Sequence, residues 1–238
     1  MSLHKIISKN TLLTVAAAVL IAGCSTAPEK QYQDPLEGFN RKVYDFNEVV
    51  DKYVLKPVAQ GYKFVTPDPV EERVHNFFVN LLYPTVFINS FLQGKHDEGF
   101  QGLNRFVFNS TLGLGGIHDV ASDMGLKPTE EDFGQTFAKW GFGSGPYIVV
   151  PILGGYTMRD GIGDIAALPT NPGYWVQDSD VKLGLMIGVT VDRSAQLLEA
   201  RKLVNGDKYL FVRDAYLQRR RHLIADGEAP EEDPFLND

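Results

Sequence analysis

VHNFFVNLLYPTVFINSFLQG, residues 74–94, contains no Asp, Glu, Lys or Arg. A helix of a water-soluble protein normally turns a charged face to solvent, and this stretch has no such face. Two more stretches share the property: FVFNSTLGLGGIH at 106–118 and WGFGSGPYIVVPILGGYTM at 140–158. None reads as a clean membrane span, because Pro84 and several asparagines interrupt the first and glycines break the others. Part of this apolar material must form a central core. Core alone falls short of explaining so much uncharged surface, and the sharper reading is that several faces meet lipid.

Working outward, the punctuation is helical. Asp34-Pro35-Leu36-Glu37 reads as a cap, a first-turn proline and an acid three residues on. Phe39, Val43, Phe46, Val50 and Val54 follow at helical spacing, with Pro57 as the stop. Asp68-Pro69-Val70-Glu71 repeats the device and opens a helix to about Leu82. Pro84 breaks or kinks it, and a further piece runs through Phe87, Phe91 and Leu92 to Gly94. A helix over 97–112 ends at Gly113, Gly115 and Gly116. Short helices are predicted near 117–123 and 130–140, the second capped by Thr129. Residues 141–163 read as glycine-rich and irregular, with Tyr147–Val150 the best strand candidate. Helices over about 157–168, 179–204 and 207–225 follow, the last capped by Asp207. The fold class is all-α, with no internal repeat.

The amino terminus carries Lys5 and Lys9, no acid in its first ten residues, and an apolar run over 11–22 that is too short to span a bilayer. Such a segment is a secretory signal peptide, here residues 1–23. Ile21-Ala22-Gly23-Cys24 resembles a bacterial lipobox, so Cys24, the only cysteine, is the expected attachment point for a diacylglycerol and an N-acyl chain. With one cysteine, a disulfide within the monomer is excluded. Each buried CH₂ adds about 0.8 kcal/mol, so three chains hold where one would not. Residues 24–33 form anchor and tether, 34–226 the folded domain and 227–238 an acidic, disordered tail. Net charge is −7 for the whole chain, and no basic stripe points to nucleic acid.

Several long motifs then resemble one family. They are DPLEGFNRKVYDFN, NSFLQG, RFVFNSTLGLGG followed by DVA, FGQT, GPYIVVPILGGYTMRDGIGD, AQLLEA and YLFVRDAYLQRR. Together they are similar to the MlaA/VacJ lipoproteins from about Asp34 to Ala225. The resemblance implies a single ring-shaped helical domain in the inner leaflet of the outer membrane of a Gram-negative bacterium. Its glycine-rich region would line a central amphipathic channel. It also implies binding to trimeric porins, transfer of mislocalised phospholipid to the periplasmic carrier MlaC, and no enzymatic activity. Alternatives are a structural porin-associated lipoprotein without a transport role and a lipid-anchored phospholipase.

The residues suit a conduit. Irregular backbone at membrane depth needs protein cover or a wet cavity. Gly141, Gly143, Gly145, Gly154 and Gly155 would line such a path or make tight turns. Asn40, Asn47, Asn76, Asn80 and Asn89 could face water or bond locally. Phe46 and Asn47, in the first motif, are the candidates for channel shape or gating. Gly184 and Gly188 form a small-xxx-small pair able to seat two helices. Arg219-Arg220-Arg221-His222 could contact head groups or a partner, or could suit a helix C-terminus.

Enzyme signals fail. Gly161-Ile162-Gly163-Asp164-Ile165-Ala166 matches a dinucleotide fingerprint but follows no expected strand and belongs to no βαβ unit. Gly143-Ser144-Gly145 lacks the spacing of a hydrolase elbow. His96-Asp97 and His118-Asp119 sit at helix boundaries where Asp caps, so no metal site is expected.

Overall fold

Asp34, expected to cap a helix, instead closes the turn before one. In the computed structural model, which describes residues 34–204 and 206–228, its Oδ1 accepts from the Leu36 amide at 3.2 Å and from Asn40 Nδ2 at 3.1 Å. The helix behind it, α1, spans Glu37–Val50. The signal peptide, Cys24, the tether and the tail beyond residue 228 lie outside the described residues.

Pro57 does not end the first helical run of the described residues. A π-helical turn, Asp51–Leu55, leads directly into α2, Lys56–Val65, with Pro57 in its first turn. The wider π turn separates the carbonyls that the proline ring would otherwise meet. Pro84 does not break its helix either: α3 runs unbroken over Asp68–Leu92. Pro84 forfeits one bond to the Asn80 carbonyl. Phe78, Asn80, Tyr83 and Pro84 are all buried, and α4 (His96–Thr111) forms with α3 the most extensive helix pair of the fold. Burial of that face outweighs the missing bond.

The next elements are short. Helix α5 covers Val120–Asp123 under an Asp119 cap, and α6 covers Phe133–Lys139. Asp132 caps α6, accepting from the Gln135 amide at 2.8 Å. Thr129, the expected cap, instead donates its amide to the Tyr83 hydroxyl at 3.2 Å.

The glycine-rich region is more ordered than its composition suggests. Tyr147–Val150 (β1) and Gly154–Thr157 (β2) form an antiparallel hairpin, with Tyr147 opposite Thr157 and Val150 opposite Gly154. Tyr147 and Val149 point inward and join Tyr209 and Leu217 in the apolar core. Gly155 makes this possible, since a Cβ there would collide with the Tyr147 ring and hydroxyl. Helix α7, Met158–Ala167, follows directly under a Thr157 cap. The GIGDIA segment therefore does follow a strand, but an antiparallel one, and among the described residues there is no βαβ unit for a dinucleotide.

Two 3₁₀ turns, Leu168–Thr170 and Pro172–Trp175, lead to α8, Ser179–Gln196. The expected helix over 179–204 thus stops earlier, and a 3₁₀ turn at Ala200–Leu203 precedes α9, Lys208–Ile224, which Asp207 caps as expected. The described elements are helical apart from the hairpin.

Packing closes a circuit. α1 lies on β1, β2 on α7, and α7 on the first 3₁₀ turn. That turn meets the second, which meets α8. α8 then packs on α2, which returns through the π turn to α1. The pair α3 and α4 buttresses this ring from α8 and α6, and α9 braces α6 and β2.

Candidate functional site

Much of the packed interior is polar and much of the exterior is apolar. Among the described residues, fourteen polar or charged side chains are buried against nine hydrophobic ones. Meanwhile Phe39, Phe46, Val49 and Tyr53 form an exposed stripe along α1 and the π turn. Ile162, Ile165 and Leu168 continue the greasy surface on α7 and the turn behind it, and Leu183, Met186 and Ile187 do so on α8. Soluble domains scatter exposed apolar residues singly, whereas stripes along successive helices mark a surface for another apolar phase. Among the described residues no helix is long and apolar enough to cross a membrane.

The asparagines of α1 do long-range work. Asn40 donates Nδ2 to the Tyr147 carbonyl at 3.0 Å and accepts from the Val149 amide at 2.9 Å. Asn47, two turns further along α1, donates to the Val150 carbonyl at 3.0 Å and accepts from the Ile152 amide at 2.7 Å. The pair stands in for a missing strand along the free edge of β1. Beyond the bond of Asn40 to Asp34, these bonds join α1 to the hairpin rather than closing locally. Asn80 likewise reaches Ser110 at 3.0 Å, and only Asn89 also bonds within its own helix, to the Thr85 carbonyl at 2.7 Å. Phe46, beside Asn47, is half exposed on the outer stripe.

Asn47 holds a strained residue. Ile152 lies in the hairpin turn with φ at +70°, a conformation unfavourable for a β-branched side chain. Such strain persists only where surrounding contacts enforce it. Ile152 and Leu153 are exposed at the tip. Of the candidate glycines, Gly154 and Gly155 belong to this hairpin. Gly141 and Gly143 lie in the segment leading to it, with nothing near a Cβ position, and Gly145 sits against Met158.

The arginine cluster divides. Arg220 turns inward and donates to Asp132 Oδ1 at 3.0 Å and Asp160 Oδ1 at 3.1 Å. The Tyr216 hydroxyl donates to Asp160 Oδ2 at 2.7 Å and accepts from the Thr157 amide at 3.1 Å. Burial pushes the Asp132 carboxyl up, but Arg220 outweighs it and holds the group below its ordinary value. Arg220 is therefore occupied within the fold and does not offer a free guanidinium to a head group. Arg219 pairs with Glu130 at 2.8 Å on the surface, and Arg221 is half-buried in the last turn of α9.

His118-Asp119 is equally structural. Asp119 accepts from Arg105 at 2.9 Å and Asn109 at 2.9 Å and caps α5. Among the described residues no three His, Cys, Asp or Glu side chains gather as metal ligands would.

Spacing alone missed Asp164. It lies one turn after Asp160 on α7, beside Tyr156 of β2. An acid four residues after a buried acid was the available signal, and it sat inside the discarded GIGDIA match.

A helical fold with a polar buried interior, apolar helix faces exposed outside and a clamped hairpin defines a class of protein built to work against lipid. Residues 32–223 match the family described as MlaA lipoprotein, and the chain belongs to that family. It is 36% identical over 234 residues to an Escherichia coli K12 protein named "Intermembrane phospholipid transport system lipoprotein MlaA", covering 90% of this chain and 89% of that one. A Haemophilus influenzae protein of the same name is 32% identical over 241 residues, covering 97% and 96%. A solved structure described as "Structural basis for maintenance of bacterial outer membrane lipid asymmetry" superposes with a TM-score of 0.73 at 36% identity, covering 81% of this chain and 99% of that one.

Proposed function

We propose that this chain is an outer-membrane lipoprotein that removes mislocalised phospholipid from the outer leaflet and passes it, through the opening inside the ring, to the periplasmic carrier MlaC. Cys24 carries the diacylglycerol and N-acyl chains that tether it to the periplasmic leaflet. A trimeric porin steadies it there. It performs no chemistry on the lipid.

The observation that carries this reading is the inverted polarity, with polar side chains filling much of the buried interior and apolar stripes exposed along α1, α7 and α8. A phospholipid needs both a polar and an apolar path, and an outward apolar surface suits a body held at leaflet depth. The family membership and the names of the relatives support the same assignment. Phe46 and Asn47 shape the gate. Asn47 holds the strained hairpin turn that the exposed Ile152 and Leu153 carry, so its two bonds set the position of one wall. This chain binds no nucleotide in the proposed cycle, so direction comes from its partners.

The test is a deletion strain probed with a membrane-impermeant amine reagent, which labels phosphatidylethanolamine at the cell surface. Labelling should rise on deletion and return to normal with the wild-type gene. Cys24→Ser should not restore it. Unchanged surface labelling in the deletion strain, with porin assembly impaired instead, would replace the transport reading with a scaffold.

A further inference from the structure

Between Asp164 and Asp192 the chain carries three charged residues, Asp178, Asp180 and Lys182, all at the head of α8. The runs on either side, 165–177 and 183–191, are uncharged and expose Ile165, Leu168, Leu183, Met186 and Ile187. A cluster of charges cannot follow such neighbours into hydrocarbon. Asp178 is fixed in place there, because it caps α8, accepting from the Asp180 amide at 2.9 Å and the Val181 amide at 3.0 Å. The head of α8 is therefore a wet edge between two greasy faces.

Two large aromatic side chains stand at that edge, on the second 3₁₀ turn. Trp175 is 61% exposed and Tyr174 is 43% exposed, although rings of this size usually bury most of their surface. They belong to a built cluster. Their rings meet edge to face with centroids 5.4 Å apart. Trp175 Nε1 donates to the Pro169 carbonyl at 2.9 Å, so the indole donor is satisfied without water. Lys182 reaches back from α8, its Nζ 5.0 Å from the Tyr174 ring centroid and donating to the Tyr174 carbonyl at 3.3 Å. Trp and Tyr concentrate where a bilayer passes from apolar to wet. A lysine beside them lays its stem on apolar surface and keeps its ammonium among head groups.

We propose that Tyr174, Trp175 and Lys182 form an interfacial anchor seated in the head-group layer of a phospholipid leaflet. From there the exposed faces of α7 and α8 reach toward the acyl chains, and the head of α8 stays at the aqueous edge. The anchor rests on the lipid-facing surface proposed above and adds a level to it. Apolar stripes alone let a body slide or roll within a leaflet, whereas an aromatic pair with a lysine has a preferred depth and fixes height and tilt.

The test uses the full-length acylated protein in vesicles of phosphatidylethanolamine and phosphatidylglycerol. The chain has two tryptophans, so Trp140→Phe leaves Trp175 as the sole indole. Its fluorescence is read against spin-labelled lipids that carry the quencher either on the head group or deep in the acyl chain. The head-group label should cause about twofold more loss than the deep label, as a residue of the interface requires. Lys182→Glu should reduce that loss and Lys182→Arg should keep it, with melting temperatures checking the fold. A second reporter, Met186→Trp with both native tryptophans changed to Phe, reads the apolar face of α8 itself. Stronger loss at Trp175 with the deep label overturns the anchor, and so does no loss with either label. If Met186→Trp is still quenched, the lipid-facing surface stands. If it too escapes both labels, that surface falls with the anchor.

Discussion

Asp132 and Asp164 both feel the Arg220 guanidinium, yet their carboxyls shift in opposite directions. Burial raises each. Asp132 gains two short contacts from Arg220 and falls below its ordinary value of 3.8, whereas Asp164 has no such contact and stays raised. A lowered folded value means stability that is present at neutral pH and lost as pH falls from about 4 through the folded value. A raised value means the reverse: stability present in acid and lost as pH rises through it. Asp164→Asn should therefore raise the melting temperature at pH 7, with the gain shrinking toward pH 4 in calorimetry. Asp132→Asn should lower it at pH 7. Arg220→Ala strands two carboxylates, one of them buried, and should cost about 3–5 kcal/mol by chemical denaturation. Arg219→Ala, at the exposed Glu130 pair, should cost less than about 1 kcal/mol. None of this division was readable in RRR, because three adjacent residues on a helix point in three directions and only the neighbours decide which one is buried.

Elements were legible where local signals act alone. Asp207 caps α9, glycines end α4, and Tyr147–Val150 is a strand, each from chemistry within a few residues. Prolines misled, because their cost of about 3 kcal/mol is smaller than what packing of a long helix face returns. The glycines separate just as sharply. At Gly163 a Cβ would stand 2.6 Å from the Gly134 backbone nitrogen, so α6 and α7 touch main chain to main chain. At Gly184 nothing lies within 4 Å. Gly163→Ala should therefore destabilise by roughly 1–3 kcal/mol, and Gly184→Ala should stabilise by up to about 1 kcal/mol through helix propensity. Equal effects in denaturant titrations would contradict the close approach. The small-xxx-small pair is thus half used: Gly188 makes room for the Phe78 ring, and Gly184 seats nothing.

For the whole molecule, the outward stripes should govern membrane affinity more than stability. Ile165→Asp and Met186→Glu, both exposed, should reduce co-flotation with vesicles while shifting unfolding by no more than about 0.5 kcal/mol. The comparison is best made beside Cys24→Ser, so that the acyl chains do not mask the helices. A loss of folding without loss of flotation would return these residues to a core. Charge-free segments, helical period and the family motifs were present in the chain as written, since composition and spacing are local quantities. They set a helical protein with greasy faces, and they placed Asn47 among the residues to watch. Tertiary structure alone decided that Asn40 and Asn47 edge a hairpin and that Arg220 is consumed internally. Those relations join residues far apart in sequence, and a contact across such a distance depends on how the helices pack, which no short window of residues encodes.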